Sequence, residues 1–183
     1  MNLPNKITMM RIILIPVFIV VLMLGYYYAS AIIFIVAAAS DAIDGHLARK
    51  WNLVTNFGKI MDPLADKLLV FSALICLVEL GDVPAWMVII ILARELTITS
   101  LRSIAASEGI VIAAGMSGKI KTVFQMVAIP LLLLQNWPFI YIGIPMDQIM
   151  LWAAVAMTLY SGVEYMIQNR QLFSMKEKGK EDN

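Results

Sequence analysis

Charged residues are scarce in this sequence, and cysteine and histidine are nearly absent. Only 15% of the 183 residues are charged and 61% are hydrophobic, whereas soluble domains carry about 25% charged residues. The single cysteine, Cys76, excludes a disulfide framework within the chain and a thiolate zinc site, and we interpret it as a packing residue. The formal net charge of +1 and the lack of a basic, aromatic-rich stretch argue against nucleic-acid binding. The composition predicts a polytopic membrane protein.

The sequence also lacks internal repeats, low-complexity linkers and the small-residue cleavage site of a secretory signal peptide. Residues 1–174 are therefore predicted to form a single membrane domain, followed by a polar tail at 175–183. The membrane domain is predicted to have an all-α fold. A short interfacial helix, or a kinked start to the first span, is predicted for the N-terminal stretch NLPNKITMMRI. Hydropathy predicts six transmembrane helices, at residues 10–28, 30–49, 60–80, 84–106, 119–135 and 147–168.

Basic residues are missing from one side of this topology. All 14 Lys and Arg residues fall on the other side, so the positive-inside rule places both termini in the cytoplasm. The connections on the side without basic residues contain several Tyr and Trp residues, which we interpret as an interfacial aromatic belt. The same rule predicts that the chain's acidic cluster lies on the cytoplasmic face of the membrane.

That cluster consists of four aspartates between strongly apolar flanks. Asp41 and Asp44 are three residues apart on one predicted helix, and Asp62 and Asp66 are four apart on the next, so each pair shares a helical face. The intervening stretch WNLVTNFGK is predicted to be a turn, because Asn and Gly are helix stop signals. If the two faces meet, four carboxylates converge, and divalent cations or protons must offset their charge.

The residues around the aspartates indicate which chemistry is available. Ligand sets made only of oxygen favour Mg²⁺, Mn²⁺ or Ca²⁺ over zinc. Gly45, Ala48 and Gly58 leave space for a bulky ligand, and Arg49 offers a planar donor group suited to phosphate. We interpret His46 as a solvated interfacial residue. The set points to phosphoryl or phosphatidyl transfer; the alternative is an acidic cluster in a cation or proton transporter.

In chain order these residues read Asp44-Gly45-x2-Ala48-Arg49-x8-Gly58-x3-Asp62-x3-Asp66. The pattern resembles the motif of the CDP-alcohol phosphatidyltransferases at every defined position. The resemblance implies the fold of that family and a homodimeric, integral-membrane enzyme that uses an alcohol to displace CMP from a CDP-linked lipid.

The resemblance also implies roles for the motif residues. Two divalent cations, Mg²⁺ or Mn²⁺, would be held by the four aspartates, and Asp66, the last of the motif, would be the general base. The cytidine and its phosphates would be seated by Gly45, Ala48, Arg49 and Gly58.

The N-terminal stretch resembles the start of the bacterial phosphatidylglycerophosphate synthases, a subgroup of the same family. On that resemblance Asn5, Thr8 and Arg11 lie near the nucleotide or the mouth of the active site. The alternative is an ordinary helix cap, with the Arg11 side chain extending along the helix to the membrane surface.

The stretches ARELTITSLR and SGKIKT carry a second resemblance to this subgroup, in which they serve the glycerol-phosphate side. Arg94, Arg102 and Lys119 are therefore predicted to bind the phosphate of the acceptor. Glu95 follows Arg94 directly and points about 100° away, which predicts a poor direct partner. For Lys121 we prefer pairing with lipid phosphates at the cytoplasmic surface.

Together these features predict an enzyme that makes phosphatidylglycerophosphate and CMP from CDP-diacylglycerol and sn-glycerol 3-phosphate. One alternative is a sibling transferase with another acceptor, such as inositol phosphate or serine. The other is the transporter, which would need polar residues continuing across the membrane.

Overall fold

In the computed structural model the described part of the chain is helical. The structure describes the backbone of residues 3–50, 56–107, 109–110, 112–113 and 115–170; within these ranges, it does not describe the side chains of residues 3–6, 41–50, 56–60, 62 and 63. The α-helices in the described ranges are α1 (Leu3–Met23), α2 (Tyr27–Lys50), α3 (Asn56–Glu79), α4 (Ala85–Ser107), α5 (Met116–Leu133) and α6 (Met146–Gln168). A short 3-10 helix, Phe139–Ile142, lies between α5 and α6.

Each predicted span corresponds to one helix, but the first was misplaced. Helix α1 begins at Leu3 and runs without interruption to Met23, so the N-terminal stretch is the start of this helix and not a separate interfacial helix. The chain turns at Gly25, whose φ of 84° lies in the left-handed region that favours glycine. Tyr27 already belongs to α2, and the prediction that span one reaches residue 28 was therefore wrong.

The predicted turn between the aspartate pairs was also too long. Asn56 begins α3 and Gly58 lies inside it, because Asn suits a helix start and a single glycine is tolerated within a helix. Residues 51–55 of the predicted turn lie outside the described residues. Helix α5 begins at Met116, with Gly115 in an extended conformation as its N-cap, and Gly118 lies inside this helix.

The buried core is formed mainly by α1, α2 and α3, together with the first halves of α4 and α6 and the second half of α5. The rings of Phe18 on α1 and Phe34 on α2 pack with their centroids 6.1 Å apart. Cys76 is buried in this core, as predicted for a packing residue. Large apolar side chains such as Ile13, Ile89 and Val163 are instead exposed on the outer surface, as expected for helices that face lipid.

Contacts between helices show that the bundle has two chemically different ends. Early residues of α1 and α3 contact late residues of α2 and α4: Arg11 binds Ala37, and Lys67 binds Thr99. This end, which we call the basic end, also holds the start of α5 and the end of α6. At the opposite, aromatic end the rings of Trp86 and Trp152 lie 5.6 Å apart.

The connection between α5 and α6 is fixed by one asparagine at the aromatic end. Asn136 donates its side-chain amide to the Ile144 carbonyl at 2.8 Å, and its side-chain oxygen accepts from the Asp147 backbone N–H at 3.2 Å. These two bonds join the end of α5 to the start of α6, and the two helices then pack along their length.

Two helices of the described residues, Met116–Leu133 and Met146–Gln168, are long and apolar enough to cross a membrane. Ile7–Met23 and Tyr27–Ser40 are apolar over shorter lengths. Helices α3 and α4 carry charged residues such as Asp66 and Arg94 well inside their sequences, which lowers their mean hydropathy. Six α-helices are therefore observed in the described ranges, and six membrane spans remain a prediction.

Candidate active site

The four motif aspartates lie on two neighbouring helices. The backbone of Asp41 and Asp44 belongs to α2 and that of Asp62 and Asp66 to α3, as predicted, and these helices are in contact. Only Asp66 has a described side chain, which is half-buried. Among the residues whose side chains are described there is no cluster of three or more metal-binding groups, but the other three aspartates lie outside that set.

The residues predicted to hold the nucleotide are described only in part. Asn5, Gly45, Ala48, Arg49 and Gly58 lie in α1, α2 and α3, and their side chains are outside the described residues. Thr8, on α1, is 1% exposed. It therefore lies inside the helix bundle at the basic end.

Arg11 is fully buried and joins α1 to α2 directly before the first aspartate. Its Nε donates to the Ala37 carbonyl oxygen at 3.1 Å, and its Nη2 lies 3.5 Å from Ser40 Oγ. Ser40 Oγ in turn donates to the same carbonyl at 2.8 Å. The alternative of a side chain extending to the membrane surface was wrong, because α2 supplies internal acceptors for the guanidinium group.

A cavity of about 990 Å³ opens at the basic end among α3, α4, α5 and α6. Of the described residues that line it, five are basic and one is acidic; they are Lys67, Arg94, Arg102, Lys119, Lys121 and Glu95. The hydroxyl-bearing residues Thr99, Ser103, Thr122 and Tyr165 also line it. We call this space the cationic cavity. It brings together all three residues predicted to bind an acceptor phosphate, Arg94, Arg102 and Lys119.

Lys67 connects this cavity to the aspartate helix. It follows Asp66 directly on α3, and its ammonium group donates to the Thr99 hydroxyl on α4. The cavity wall therefore includes the residue next to the last aspartate of the motif. In the sequence Lys67 is one of the 14 basic residues that set the predicted orientation, and no role at the site was predicted for it.

Glu95 contacts Arg94 directly, contrary to the sequence prediction. Its Oε1 accepts from Arg94 Nη1 at 2.6 Å and also from the Lys121 ammonium group on α5. The prediction considered only the directions in which the two side chains leave the helix. The long Arg and Glu side chains bend toward each other, and the arrival of Lys121 makes Glu95 the bridge between α4 and α5.

Lys121 is 2% exposed in its side chain and points into the bundle. The preferred interpretation, pairing with lipid phosphates, was therefore wrong. A buried ammonium group needs a nearby anion, and Glu95 provides it.

Two glycines allow Arg94 to lie between α5 and α6. A Cβ atom on Gly118 would come within 3.5 Å of Arg94 Nη2, and one on Gly162 within 3.2 Å of Arg94 Cγ. The guanidinium group thus occupies the junction of three helices, where its side chain is 14% exposed. The only signal for this in the sequence was a glycine within each of two apolar helices.

Comparison with known proteins agrees with the geometry. The sequence profile described as CDP-alcohol phosphatidyltransferase matches residues 1–160. The chain belongs to this family. It is 49% identical over 183 aligned positions to the CDP-diacylglycerol–glycerol-3-phosphate 3-phosphatidyltransferase of Bacillus subtilis, covering 92% of this chain and 95% of that protein. Proteins of the same name from Rickettsia felis and Rickettsia prowazekii are 37% and 38% identical, over 94% and 90% of this chain and 97% and 93% of theirs.

Family membership confirms the resemblance inferred from the aspartate motif, and with it the interpretation as a membrane-associated transferase. It gives no support to the transporter alternative. CDP-alcohol phosphatidyltransferases generally depend on divalent cations. The donor set fits such ions, because Asp41, Asp44, Asp62 and Asp66 supply only carboxylate oxygens, the ligands that Mg²⁺ and Mn²⁺ prefer.

The bridge through Glu95 leads to a stability prediction. Replacing Glu95 by Gln keeps an acceptor for Lys121 but leaves its buried ammonium group without an anion, and removing one partner of a buried ion pair costs about 3–5 kcal/mol. We expect the free energy of unfolding to fall by about that amount, measured by denaturation in detergent. As a control, Glu164→Gln should have little effect, because Glu164 bonds only the exposed Gln168 amide in the described structure.

A double variant tests whether the loss of stability comes from the unpaired charge of Lys121. Adding Lys121→Met to Glu95→Gln removes the buried cation that the first change left without an anion, so the double variant should be more stable than Glu95→Gln alone. A Glu95→Gln protein as stable as the wild type would show that the bridge does not contribute to stability.

Proposed function

We propose that this enzyme transfers the phosphatidyl group of CDP-diacylglycerol to sn-glycerol 3-phosphate, giving phosphatidylglycerophosphate and CMP. The observation that carries the proposal is the cationic cavity, which has a strong excess of basic residues and whose wall includes the neighbour of Asp66. Such a cavity suits a small phosphorylated alcohol. The names of the relatives from Bacillus and Rickettsia support the same acceptor.

In the proposed mechanism the acceptor lies with its phosphate among Arg94, Arg102 and Lys119. Guanidinium groups bind phosphate through paired hydrogen bonds, whereas an ammonium group acts as a point charge. This grip would direct the C1 hydroxyl of the acceptor toward α3. Holding both reactants in place converts a bimolecular encounter into a reaction within one complex.

Asp66 is proposed to act as the general base. It takes the proton of the C1 hydroxyl as that oxygen forms a bond to the lipid-side phosphorus of CDP-diacylglycerol. The bond between this phosphorus and the bridging oxygen of the diphosphate breaks, and CMP leaves with that oxygen and its electron pair. The half-buried position of Asp66 next to Lys67 is consistent with such a role.

The remaining motif residues are proposed to serve the CDP-lipid. Asp41, Asp44, Asp62 and Asp66 would hold two divalent cations, Mg²⁺ or Mn²⁺, which when bound offset the negative charge of the diphosphate and of the leaving CMP. The residues assigned to the nucleotide are Asn5, Thr8, Gly45, Ala48, Arg49 and Gly58. Arg11 would fix the end of α2 that carries the first aspartates.

A comparison of acceptors tests the proposal. Purified protein with CDP-diacylglycerol and Mg²⁺ or Mn²⁺ should release CMP with glycerol 3-phosphate, and far more slowly with serine or inositol phosphate. Serine has no phosphate group for the cavity to bind. Inositol phosphate has one, as glycerol 3-phosphate does, so it is the more demanding comparison. Preference for inositol phosphate would assign the protein to a sibling activity.

The arrangement in the membrane is part of the same proposal. All six helices would cross a bacterial cytoplasmic membrane, with both termini, the basic end and the active site on the cytoplasmic side. Residues 1–174 would form the membrane domain and 175–183 its cytoplasmic tail. The chain would form a homodimer, as the family resemblance implies.

Cysteine labelling tests this orientation at the two ends of α4. In a Cys76→Ala background, Asp82→Cys should react with an impermeant maleimide added to intact bacterial cells, whereas Ser107→Cys should react only after the cells are permeabilised. Both positions are exposed and flank one helix. Labelling of position 107 in intact cells would reverse the orientation and remove the basic end from cytosolic substrates.

A further inference from the structure

Helix α6, for which the sequence predicted no role at the site, contributes one polar side chain to the cationic cavity. Tyr165 lines the cavity and is 7% exposed. The other buried hydroxyl groups of this helix are paired within it: Thr158 Oγ1 donates to the Ala154 carbonyl at 2.6 Å, and Ser161 Oγ donates to the Thr158 carbonyl at 3.1 Å. Tyr165 is the exception, because its hydroxyl group has no partner in the described structure.

Two other buried side-chain nitrogen atoms among the described residues also have no partner, and one of them belongs to a residue that lines the cavity. They are Arg94 Nε, on the cavity wall, and Gln125 Nε2, one turn after Lys121 on α5. A guanidinium nitrogen and an amide nitrogen can only donate, and a tyrosine hydroxyl can donate as well. Buried donors without acceptors are unfavourable. Two of these donors, Arg94 Nε and the Tyr165 hydroxyl group, belong to residues that line the cavity, and phosphate is an acceptor-rich group that suits both of them.

The position of Tyr165 relative to the arginines supports the same conclusion. Gly162, one turn earlier on α6, packs against Arg94 so closely that a Cβ atom would lie 3.2 Å from its Cγ. Tyr165 follows Gly162 by three residues and so shares its face of α6, and Tyr165, Arg94 and Arg102 line the same cavity. A phosphate held by these arginines would thus be bound beside the tyrosine ring.

We propose that Tyr165 is an acceptor-binding residue, whose hydroxyl group donates a hydrogen bond to the phosphate held by Arg94 and Arg102. The inference rests on the proposed function for the identity of the acceptor, but not for the presence of an anion site. It gives α6 a direct part in substrate recognition. The phosphate of the acceptor would then be bound from α4, α5 and α6 together.

The test is Tyr165→Phe, which keeps the packed ring and removes only the hydroxyl group. Tyr160→Phe is the matched control, because Tyr160 is on the same helix and 60% exposed outside the cavity. One lost hydrogen bond to a charged group corresponds to about a tenfold loss of affinity. We expect the KM for glycerol 3-phosphate to rise about tenfold in Tyr165→Phe, the KM for CDP-diacylglycerol to stay unchanged, and the control to match the wild type.

A purely structural role would alter both KM values or neither. A KM for glycerol 3-phosphate within twofold of the wild type, or equal changes for both substrates, would overturn the inference. Thermal unfolding in detergent gives a second readout that does not need activity. Inorganic phosphate should raise the Tm of the wild type and raise that of Tyr165→Phe much less.

The two readouts separate this inference from the proposed function. If the wild type releases no CMP with glycerol 3-phosphate but phosphate still stabilises it through Tyr165, the acceptor is wrong and the anion site is right. If phosphate stabilises the wild type and Tyr165→Phe equally, or stabilises neither, Tyr165 does not bind an anion.

Discussion

Asp66→Asn is expected to reduce turnover by at least about two orders of magnitude, because general-base catalysis by a positioned side chain contributes about 10²- to 10⁴-fold. Asparagine keeps the size of the side chain and one oxygen acceptor, but it cannot take the proton of the attacking hydroxyl. It also removes one of the four charges proposed to hold the divalent cations. The measurement is the rate of CMP release at saturating CDP-diacylglycerol and glycerol 3-phosphate.

Binding and a distant aspartate provide the controls for this variant. CDP-diacylglycerol should still raise the Tm of Asp66→Asn, since the lipid and the nucleotide make other contacts. Asp82→Asn removes a carboxylate from the turn between α3 and α4, at the aromatic end, and should keep the wild-type rate. Turnover near the wild-type rate in Asp66→Asn would remove Asp66 from the mechanism.

Arg102→Gln should weaken the binding of glycerol 3-phosphate far more than the binding of CDP-diacylglycerol. Arg102 lines the cationic cavity from α4. A hydrogen bond to a charged group contributes about 1.5–3 kcal/mol, which corresponds to about a ten- to hundredfold change in affinity. Glutamine keeps a polar side chain while it removes the charge. The measurement is the KM for each substrate, determined with the other at saturation.

Arg170→Gln is the matched control, because Arg170 is exposed at the end of α6 and does not line the cavity. The KM values of Arg170→Gln for both substrates should equal those of the wild type. If Arg102→Gln instead weakens mainly the binding of CDP-diacylglycerol, the cavity binds the nucleotide, and its assignment to the acceptor phosphate is wrong.

The number and approximate position of the helices could be predicted from the sequence because both depend on local composition. Each helix contains a long apolar stretch, and charged residues gather toward one end of it. The helix ends were less predictable. Gly25 ends α1 several residues before the apolar stretch itself ends, and Gly58 and Gly118 lie inside helices although glycine commonly marks a helix end.

The assembly of the cationic cavity was predictable in part. Arg94, Arg102 and Lys119 were assigned to one phosphate through a family resemblance, and the structure places them on one cavity wall. The charge partners were not predictable in the same way. Whether Lys121 faces lipid or Glu95 depends on the rotation of α5 against α4, which no local pattern in these apolar helices determines.

The place of Tyr165 in the cavity could not be predicted from the sequence either. In the sequence it is one tyrosine near the end of the last helix, with no motif around it. Its relation to Arg94 arises only because Gly162 lets α6 approach α4 closely. Residues that belong to a site through packing between distant helices are therefore found from the structure, whereas the aspartates are found from their spacing.

The most direct test of the central claim follows the acceptor into the product. Purified protein would be incubated with CDP-diacylglycerol, a divalent cation and glycerol 3-phosphate labelled in its glycerol carbons. We predict one labelled lipid for each CMP released, and loss of both products when the cation is chelated. Release of CMP without label in the lipid, or at the same rate without glycerol 3-phosphate, would contradict the proposed transfer.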